Sequence, residues 1–144
     1  MPAKTVDVEL KQGSGFRTEC KAGRHTLIID QPTPAGADAG PTPLEFQLLA
    51  LGGCVAAIGR IVANQKKLAI RGMEVTVEGD INTDGLLGKP TEERTGFSAI
   101  RARVKIDADM SDAEKEQFLH AVDARCPISD NLQTTTPVSV VLAP

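Results

Sequence analysis

The sequence predicts an α+β fold that is built on antiparallel β-hairpins around one long helix. Several short segments alternate apolar and polar residues, which is typical of strands with one wet face. Glycine-rich and polar turn signals separate these segments, and a nearly all-apolar run suited to a helix lies between the two groups of strands. The predicted element order is βββ-α-ββ-α-β.

Three strands are predicted before the central helix. Thr5–Leu10 alternates, Gly13–Gly15 supplies a turn, and Phe16–Cys20 returns, which together indicate a hairpin. His25–Asp30 is the third predicted strand. Gln31–Pro41 is rich in Pro, Gly and Ala, so it is predicted to be a loop that leads to the helix.

The central helix is predicted to run from Pro43 to about Lys67. Thr42 suits the N-cap, Pro43 suits the first helical position, and Glu45 completes a capping box with Thr42. A helix that is apolar almost all round needs cover on every side, and one sheet covers only one side. The simplest cover for the rest is the same surface of a second subunit, so the helix predicts a two-fold homodimer.

The second half of the chain is predicted to hold two strands, a helix and a last strand. The two strands and the polar loop between them are Met73–Asn82, Phe97–Asp107 and Thr83–Gly96. Ser111 and Glu114 form a second capping box, which opens a helix that runs to Arg125. A short turn or helix is expected after Pro127, and Pro137–Leu142 is predicted to be the last strand.

Composition narrows the functional classes. The 144 residues are 41% hydrophobic, and residues 1–144 are expected to form a single domain. A net charge of −3, with no Trp or Tyr, argues against a nucleic-acid partner, because such sites need basic surface and stacking groups. No signal-peptide pattern is found at the N-terminus, and the apolar run Phe46–Gly59 is too short to span a bilayer. The expected location is cytoplasmic, with no membrane partner.

The three cysteines are the candidate chemical groups, and their odd number does not fit a secreted disulfide framework. Gly52 and Gly53 directly precede Cys54, and each costs about 1 kcal/mol relative to Ala inside a helix. Close approach of another backbone or of a ligand beside Cys54 is the expected compensation. By itself Cys54 fits either a small core residue or a nucleophile, whereas Cys20 lies in a predicted strand and is interpreted as structural.

Cys126 follows a predicted helix and precedes Pro127. The negative end of that helix would disfavour a thiolate, which fits a thiol that attacks an already oxidised partner. The three Cys and two His have no spacing of metal-ligand pairs, so no metal site is predicted. No bound cofactor is predicted either.

The segment Gly40–Cys54, followed about 70 residues later by Arg125–Ser129, resembles the OsmC/Ohr family of osmotically inducible and organic hydroperoxide resistance proteins. The segment Arg24–Pro32 is similar to the OsmC-like branch. The resemblance implies an intertwined homodimer with the long helices at its centre. It also implies a thiol peroxidase in which Cys54 forms a sulfenic acid and Cys126 then closes a disulfide. A dithiol or a lipoylated protein is the implied reductant.

The hydroperoxide branch activates its thiol with an arginine at the first hairpin and a glutamate directly after the helix-opening proline. Here the hairpin tip is Gly13–Gly15, so Arg17 and Arg24 are the nearest candidates for the arginine. The glutamate is shifted by one position here, because Leu44 follows Pro43 and the acid is Glu45. Nine residues separate it from Cys54, about 13 Å along a helix and on roughly opposite faces. Glu45 therefore acts across the dimer or serves only as a helix cap.

Two functions follow from these patterns. The first is a peroxidase for organic hydroperoxides or hydrogen peroxide, and the second is a non-catalytic dimer that binds a small ligand and lacks peroxidase activity. Phe46, Leu49, Leu51 and Ile58 are predicted to form an apolar wall, which would favour bulky apolar peroxides.

Overall fold

The computed structural model describes residues 3–144, and the predicted α+β class with antiparallel sheets is confirmed. Within these residues, five strands and three helices follow one another along the chain. They are β1 (Glu9–Gln12), β2 (Thr18–Ala22), β3 (His25–Ile29), α1 (Pro43–Gln65), β4 (Ile70–Asp80), β5 (Ala99–Ala108), α2 (Asp112–Asp123) and α3 (Pro127–Gln133).

The chain divides into two compact units, of which the first ends at Gln47 and the second is Leu48–Pro144. The first unit contains an antiparallel sheet in the order β1-β2-β3. Gln12 pairs with Thr18, so the first hairpin turns through residues 13–17 and its strands start later than the alternation predicts. The third strand lies where it is predicted, at His25–Ile29.

One buried carboxylate organises the loop that precedes α1. Asp30 is 1% exposed, and it accepts hydrogen bonds from the N–H groups of Gln31 at 2.8 Å and Ala39 at 3.0 Å. A Cβ atom on Gly40 would lie 2.1 Å from the carbonyl oxygen of Ile28, so only glycine fits there. The chain is thus tied closely to the end of β3 just before the helix begins.

The helix α1 begins with the predicted capping box. The Thr42 hydroxyl accepts from the N–H of Glu45 at 3.2 Å, and the Glu45 carboxylate accepts from the N–H of Thr42 at 2.9 Å. By length and composition alone α1 could cross a membrane, a property that buried helices of soluble proteins share. Because Val55 and Val62 are buried in the core of the second unit, we interpret α1 as a core helix.

The core of the second unit lies between α1, α2 and the hairpin of β4 and β5, to which α2 contributes Phe118. Glycines allow α1 to approach β4 closely. A Cβ atom on Gly52 would lie 3.1 Å from the side chain of Val77, and one on Gly59 would lie 2.9 Å from Met73. Gly52 is therefore explained by close approach of a side chain, and not of another backbone or a ligand as expected, whereas a Cβ atom on Gly53 would have no neighbour within 4 Å.

The prediction of a last strand at Pro137–Leu142 is wrong for the single chain. Pro137–Leu142 has no strand assignment, and Val138, Val140 and Leu142 are more than 80% exposed. A strand requires a hydrogen-bonded neighbour, and among residues 3–144 no strand pairs with this segment. The short helix expected after Pro127 is present as α3.

The buried Asp30 predicts a pH-dependent stability. Its hydrogen bonds from Ala39 and Gln31 hold the pKa of this carboxyl below its ordinary value of 3.8. Because the folded pKa lies below the unfolded one, the stabilisation is present above about pH 4 and is lost as the pH falls through the folded pKa.

We therefore expect Asp30→Asn to lower the melting temperature at pH 7 by about 5 °C, followed by circular dichroism. The difference should shrink below about pH 4, where the wild-type carboxylate takes up its proton. Asp38→Asn is the matched control, because Asp38 is an exposed acid of the same loop with a φ of 54°, a conformation that Asn tolerates. An equal effect of both variants would contradict the assignment to Asp30.

Candidate active site

Cys54 lies at the border between the buried and the exposed faces of α1. On one side Leu51 and Val55 are buried, each 8% exposed. On the other side Ala57 and Ile61 are exposed. Cys54 itself is half-buried and packs against the core. Its thiol therefore belongs to the core on one side and is accessible on the other.

Cys126 is the N-cap of α3, because α2 has already ended at Asp123. Its sulfur accepts a hydrogen bond from the N–H of Ser129 at 3.5 Å. Cys126 also follows the C-terminal end of α2, as expected, because its N–H donates to the Asp123 carbonyl at 3.3 Å. It therefore lies between the end of α2 and the start of α3. Pro127 does not only end a helix but also begins a new one, as proline at a first helical position does.

The two thiols predicted to act together are brought together. Cys54 packs against the buried cluster that contains Cys126, and both are free thiols. Cys126 is 1% exposed, and this burial raises the pKa of its thiol. The neighbouring Cys54 thiol raises the pKa of Cys126 further, whereas the N–H groups of Ser129 and Ile128 lower it. The net result is a pKa of Cys126 above the ordinary value of a thiol.

Side-chain hydrogen bonds hold the turn that carries Cys126. The Ser129 hydroxyl donates to the Asp123 carboxylate at 2.6 Å and accepts from the Gln133 amide at 2.7 Å. Arg125 donates to Gln65 near the end of α1 at 2.7 Å. Asp123, Gln133 and Gln65 were missed by the sequence analysis, because no motif marks a hydrogen bond between separate helices.

Arg17 lies beside a carboxylate of the first unit. Thr18 pairs with Ile29, which puts Arg17 and Asp30 at the adjoining positions of the two strands. The positive charge of Arg17 contributes to the lowered pKa of Asp30. Arg24 is exposed in the turn before β3. Activation of Cys54 by either arginine stays a prediction.

The Glu45 carboxylate accepts hydrogen bonds from Thr42, its partner in the capping box. The N–H and the hydroxyl of Thr42 both donate to its carboxylate, at 2.9 and 3.0 Å, and these bonds lower the pKa of Glu45. This geometry matches the capping alternative of the sequence analysis. A catalytic contribution of Glu45 stays a prediction.

The predicted apolar wall does not form on one face of α1. Leu51 is part of the buried core, whereas Leu49 is 59% exposed. Two residues along a helix are separated by about 200°, so these side chains point to different sides. Leu51 is therefore not a wall residue, and Ile58 packs against the same core.

The described residues contain no group of three or more His, Cys, Asp or Glu that could hold a metal ion. The chemically reactive groups brought together in the second unit are the two thiols of Cys54 and Cys126, together with the hydrogen bonds that fix the second of them.

The fold and the thiol pair define a cysteine-bearing α+β protein of the OsmC type. The sequence model of this family, described as OsmC-like protein, matches residues 36–141. The chain therefore belongs to the OsmC family.

Relatives with related names are found by sequence and by structure. A hydroperoxide reductase of Mycoplasma pneumoniae is 26% identical over 121 residues, which cover 80% of this chain and 82% of that protein. The crystal structure of an OsmC-like protein from M. pneumoniae matches with a TM-score of 0.80 at 23% identity, covering 92% of this chain and 89% of the other. An organic hydroperoxide resistance protein OsmC from Legionella pneumophila has a TM-score of 0.69 at 18% identity, covering 92% of both chains.

The neighbouring thiols of Cys54 and Cys126 should be able to close to a disulfide. We expect diamide treatment of the reduced protein to join Cys54 to Cys126 within one chain, detected by peptide mass mapping without reductant. Cys20→Ser is the control and should give the same linkage, because the Cys20 thiol is buried and donates to the Thr18 carbonyl. A linkage that involves Cys20, or one between chains, would contradict the pairing.

Proposed function

We propose that this chain is a thiol peroxidase that reduces organic hydroperoxides or hydrogen peroxide. The observation that carries the proposal is the neighbouring pair of free thiols, Cys54 on α1 and Cys126 at the start of α3. The relatives include a hydroperoxide reductase and an organic hydroperoxide resistance protein, which supports the same chemistry.

The exposure of the two thiols supports Cys54 as the residue that meets the peroxide. Cys54 is half-buried at the edge of an open face, whereas Cys126 is 1% exposed and holds its proton. The Cys54 thiolate attacks one peroxide oxygen and the O–O bond breaks. The sulfur is oxidised to a sulfenic acid, and the leaving alkoxide takes up a proton to become an alcohol.

Cys126 then completes the cycle as the resolving thiol. Its sulfur attacks the sulfur of the Cys54 sulfenic acid, an S–S bond forms and the S–O bond breaks. The hydroxide leaves as water with the proton that Cys126 gives up. An external dithiol, free or on a lipoylated protein, returns two electrons and two protons to the disulfide. In this mechanism Arg17 or Arg24 stabilises the thiolate, and Glu45 acts across the dimer or only as a cap.

A second candidate is a small-ligand-binding dimer without peroxidase activity. It is favoured by the interactions of the two residues proposed to activate Cys54. Arg17 lies beside the Asp30 carboxylate, and the Glu45 carboxylate accepts a hydrogen bond from Thr42. An arginine that neutralises a neighbouring carboxylate has less positive charge to offer a thiolate. The peroxide assay below separates the two functions.

We also propose that the protein is a two-fold homodimer in the cytoplasm. Leu49, Gly53, Ala57 and Ile61 recur every four residues on the exposed face of α1. At about 25 cal/mol per Å², a few hundred Å² of such surface left in water would cost several kcal/mol, a large share of the stability of a folded domain. The exposed segment Pro137–Leu142 adds apolar surface that a second chain would cover. Free thiols fit a reducing compartment.

The assignment of the two thiols predicts different defects in two variants. Cys54→Ser should abolish consumption of tert-butyl hydroperoxide with a dithiol reductant. Cys126→Ser should reduce about one equivalent of peroxide and then stall, because only the first thiol must meet the peroxide. Cys20→Ser is the control with full turnover. Equal single-round activity in both variants would show that the roles are wrong, and a wild-type rate no better than free dithiol would exclude the enzyme.

The dimer predicts a mass and a concentration dependence. Light scattering at micromolar concentration should give twice the 15.2 kDa mass of the chain, and the melting temperature should rise with protein concentration. Ala57→Glu puts a charge on the exposed stripe of α1 and should weaken the dimer, whereas Lys105→Glu on the outer face of β5 should not. A stable folded monomer of wild-type protein would refute the proposal.

A further inference from the structure

A partly buried hydrogen-bond network adjoins Cys126. Ser129 is 6% exposed, and its hydroxyl is engaged on both sides, as a donor to Asp123 at the end of α2 and as an acceptor from Gln133 on α3. The backbone N–H of the same residue donates to the sulfur of Cys126. One residue thus connects the reactive sulfur to side-chain anchors on two helices.

We propose that Ser129 is a positioning residue for disulfide closure, and that Asp123 and Gln133 anchor its side chain so that its N–H stays on the sulfur of Cys126. This inference rests on the proposed peroxidase function. During closure the Cys126 sulfur must lose its proton while it is buried, and burial disfavours the charged form. A fixed N–H donor stabilises the negative charge that develops there.

Of the side chains near Cys126, those of Cys54, Arg125 and Asp123 do not stabilise its thiolate. Cys54 lies near Cys126 on α1, and its thiol raises the pKa of Cys126. The guanidinium of Arg125 donates to Gln65. The carboxylate of Asp123 accepts from the Ser129 hydroxyl. Of the two N–H groups that favour the Cys126 thiolate, that of Ser129 has the greater effect.

The pKa of Cys126 can be measured directly by absorbance. It has no Trp and no Tyr, so the thiolate absorbance at about 240 nm can be titrated without interference from tyrosinate. In a Cys20→Ser/Cys54→Ser background Cys126 is the single thiol. Adding Ser129→Ala should raise the pKa of Cys126 by about one unit, because the N–H donor is no longer held in place. Ser129→Thr keeps a hydroxyl and should restore most of the effect.

The second measurement follows closure after one equivalent of tert-butyl hydroperoxide without reductant. Dimedone labelling counts the sulfenic acid, and mass spectrometry counts the disulfide. With all three cysteines present, Ser129→Ala should slow disulfide formation about tenfold while the rate of Cys54 oxidation stays unchanged. Gln133→Leu removes the hydrogen bond to Ser129 at an exposed position and should also slow disulfide formation. It is the alternative variant if Ser129→Ala does not fold. Ser98→Ala is the matched control, because the Ser98 hydroxyl donates to the backbone carbonyl of Asp80 at the end of β4.

The outcomes separate this inference from the proposed function. An unchanged titration and an unchanged closure rate would overturn the positioning role of Ser129. Loss of Cys54 oxidation and of closure together, with a lower melting temperature, would also overturn it, because that is a purely structural effect. A shifted titration in a protein that does not consume peroxide would support the contact with Cys126 while the peroxidase proposal fails.

Discussion

The close packing of α1 on β4 is the constraint on which the thiol site depends. Gly52 and Gly59 recur two turns apart and leave room for the side chains of Val77 and Met73. With these two glycines on the sheet, the rotation of α1 is fixed, and Cys54 falls at the border of the buried face. A larger residue at either glycine would push the helix outward or force its neighbour to move, and would shift the thiol with it.

The two cysteines differ because their surroundings differ, although they are neighbours. Cys54 lies on a long helix whose far side is exposed, whereas Cys126 is buried in the core cluster of the second unit. Burial and the neighbouring Cys54 raise the pKa of Cys126, and backbone N–H groups limit that effect. This division fits a cycle in which one thiol meets a substrate from outside and the other reacts only with its neighbour.

Two of the apolar surfaces that remain exposed lie where the single chain supplies no covering element. The stripe through Gly53 and Ala57 on α1 and the segment Pro137–Leu142 both have the periodicity of an ordered structure, four residues in the helix and two in the extended segment. The alternation in Pro137–Leu142 reports the tendency to be extended, but strand formation needs the hydrogen bonds of a neighbour. We interpret both surfaces as parts of the proposed dimer interface.

The sequence by itself determined the class of the fold, most element positions and the capping box of Thr42 and Glu45. Through the family resemblance it also predicted that Cys54 and Cys126 act together. These are local or motif-borne features, which neighbouring residues fix through periodicity, capping and turn chemistry. Only the tertiary structure decided that Cys126 begins α3, that Leu51 lies in the core and that Ser129 is anchored by Asp123. Those features depend on how separate helices pack, and burial and hydrogen bonding between distant segments leave no periodic signal in the sequence.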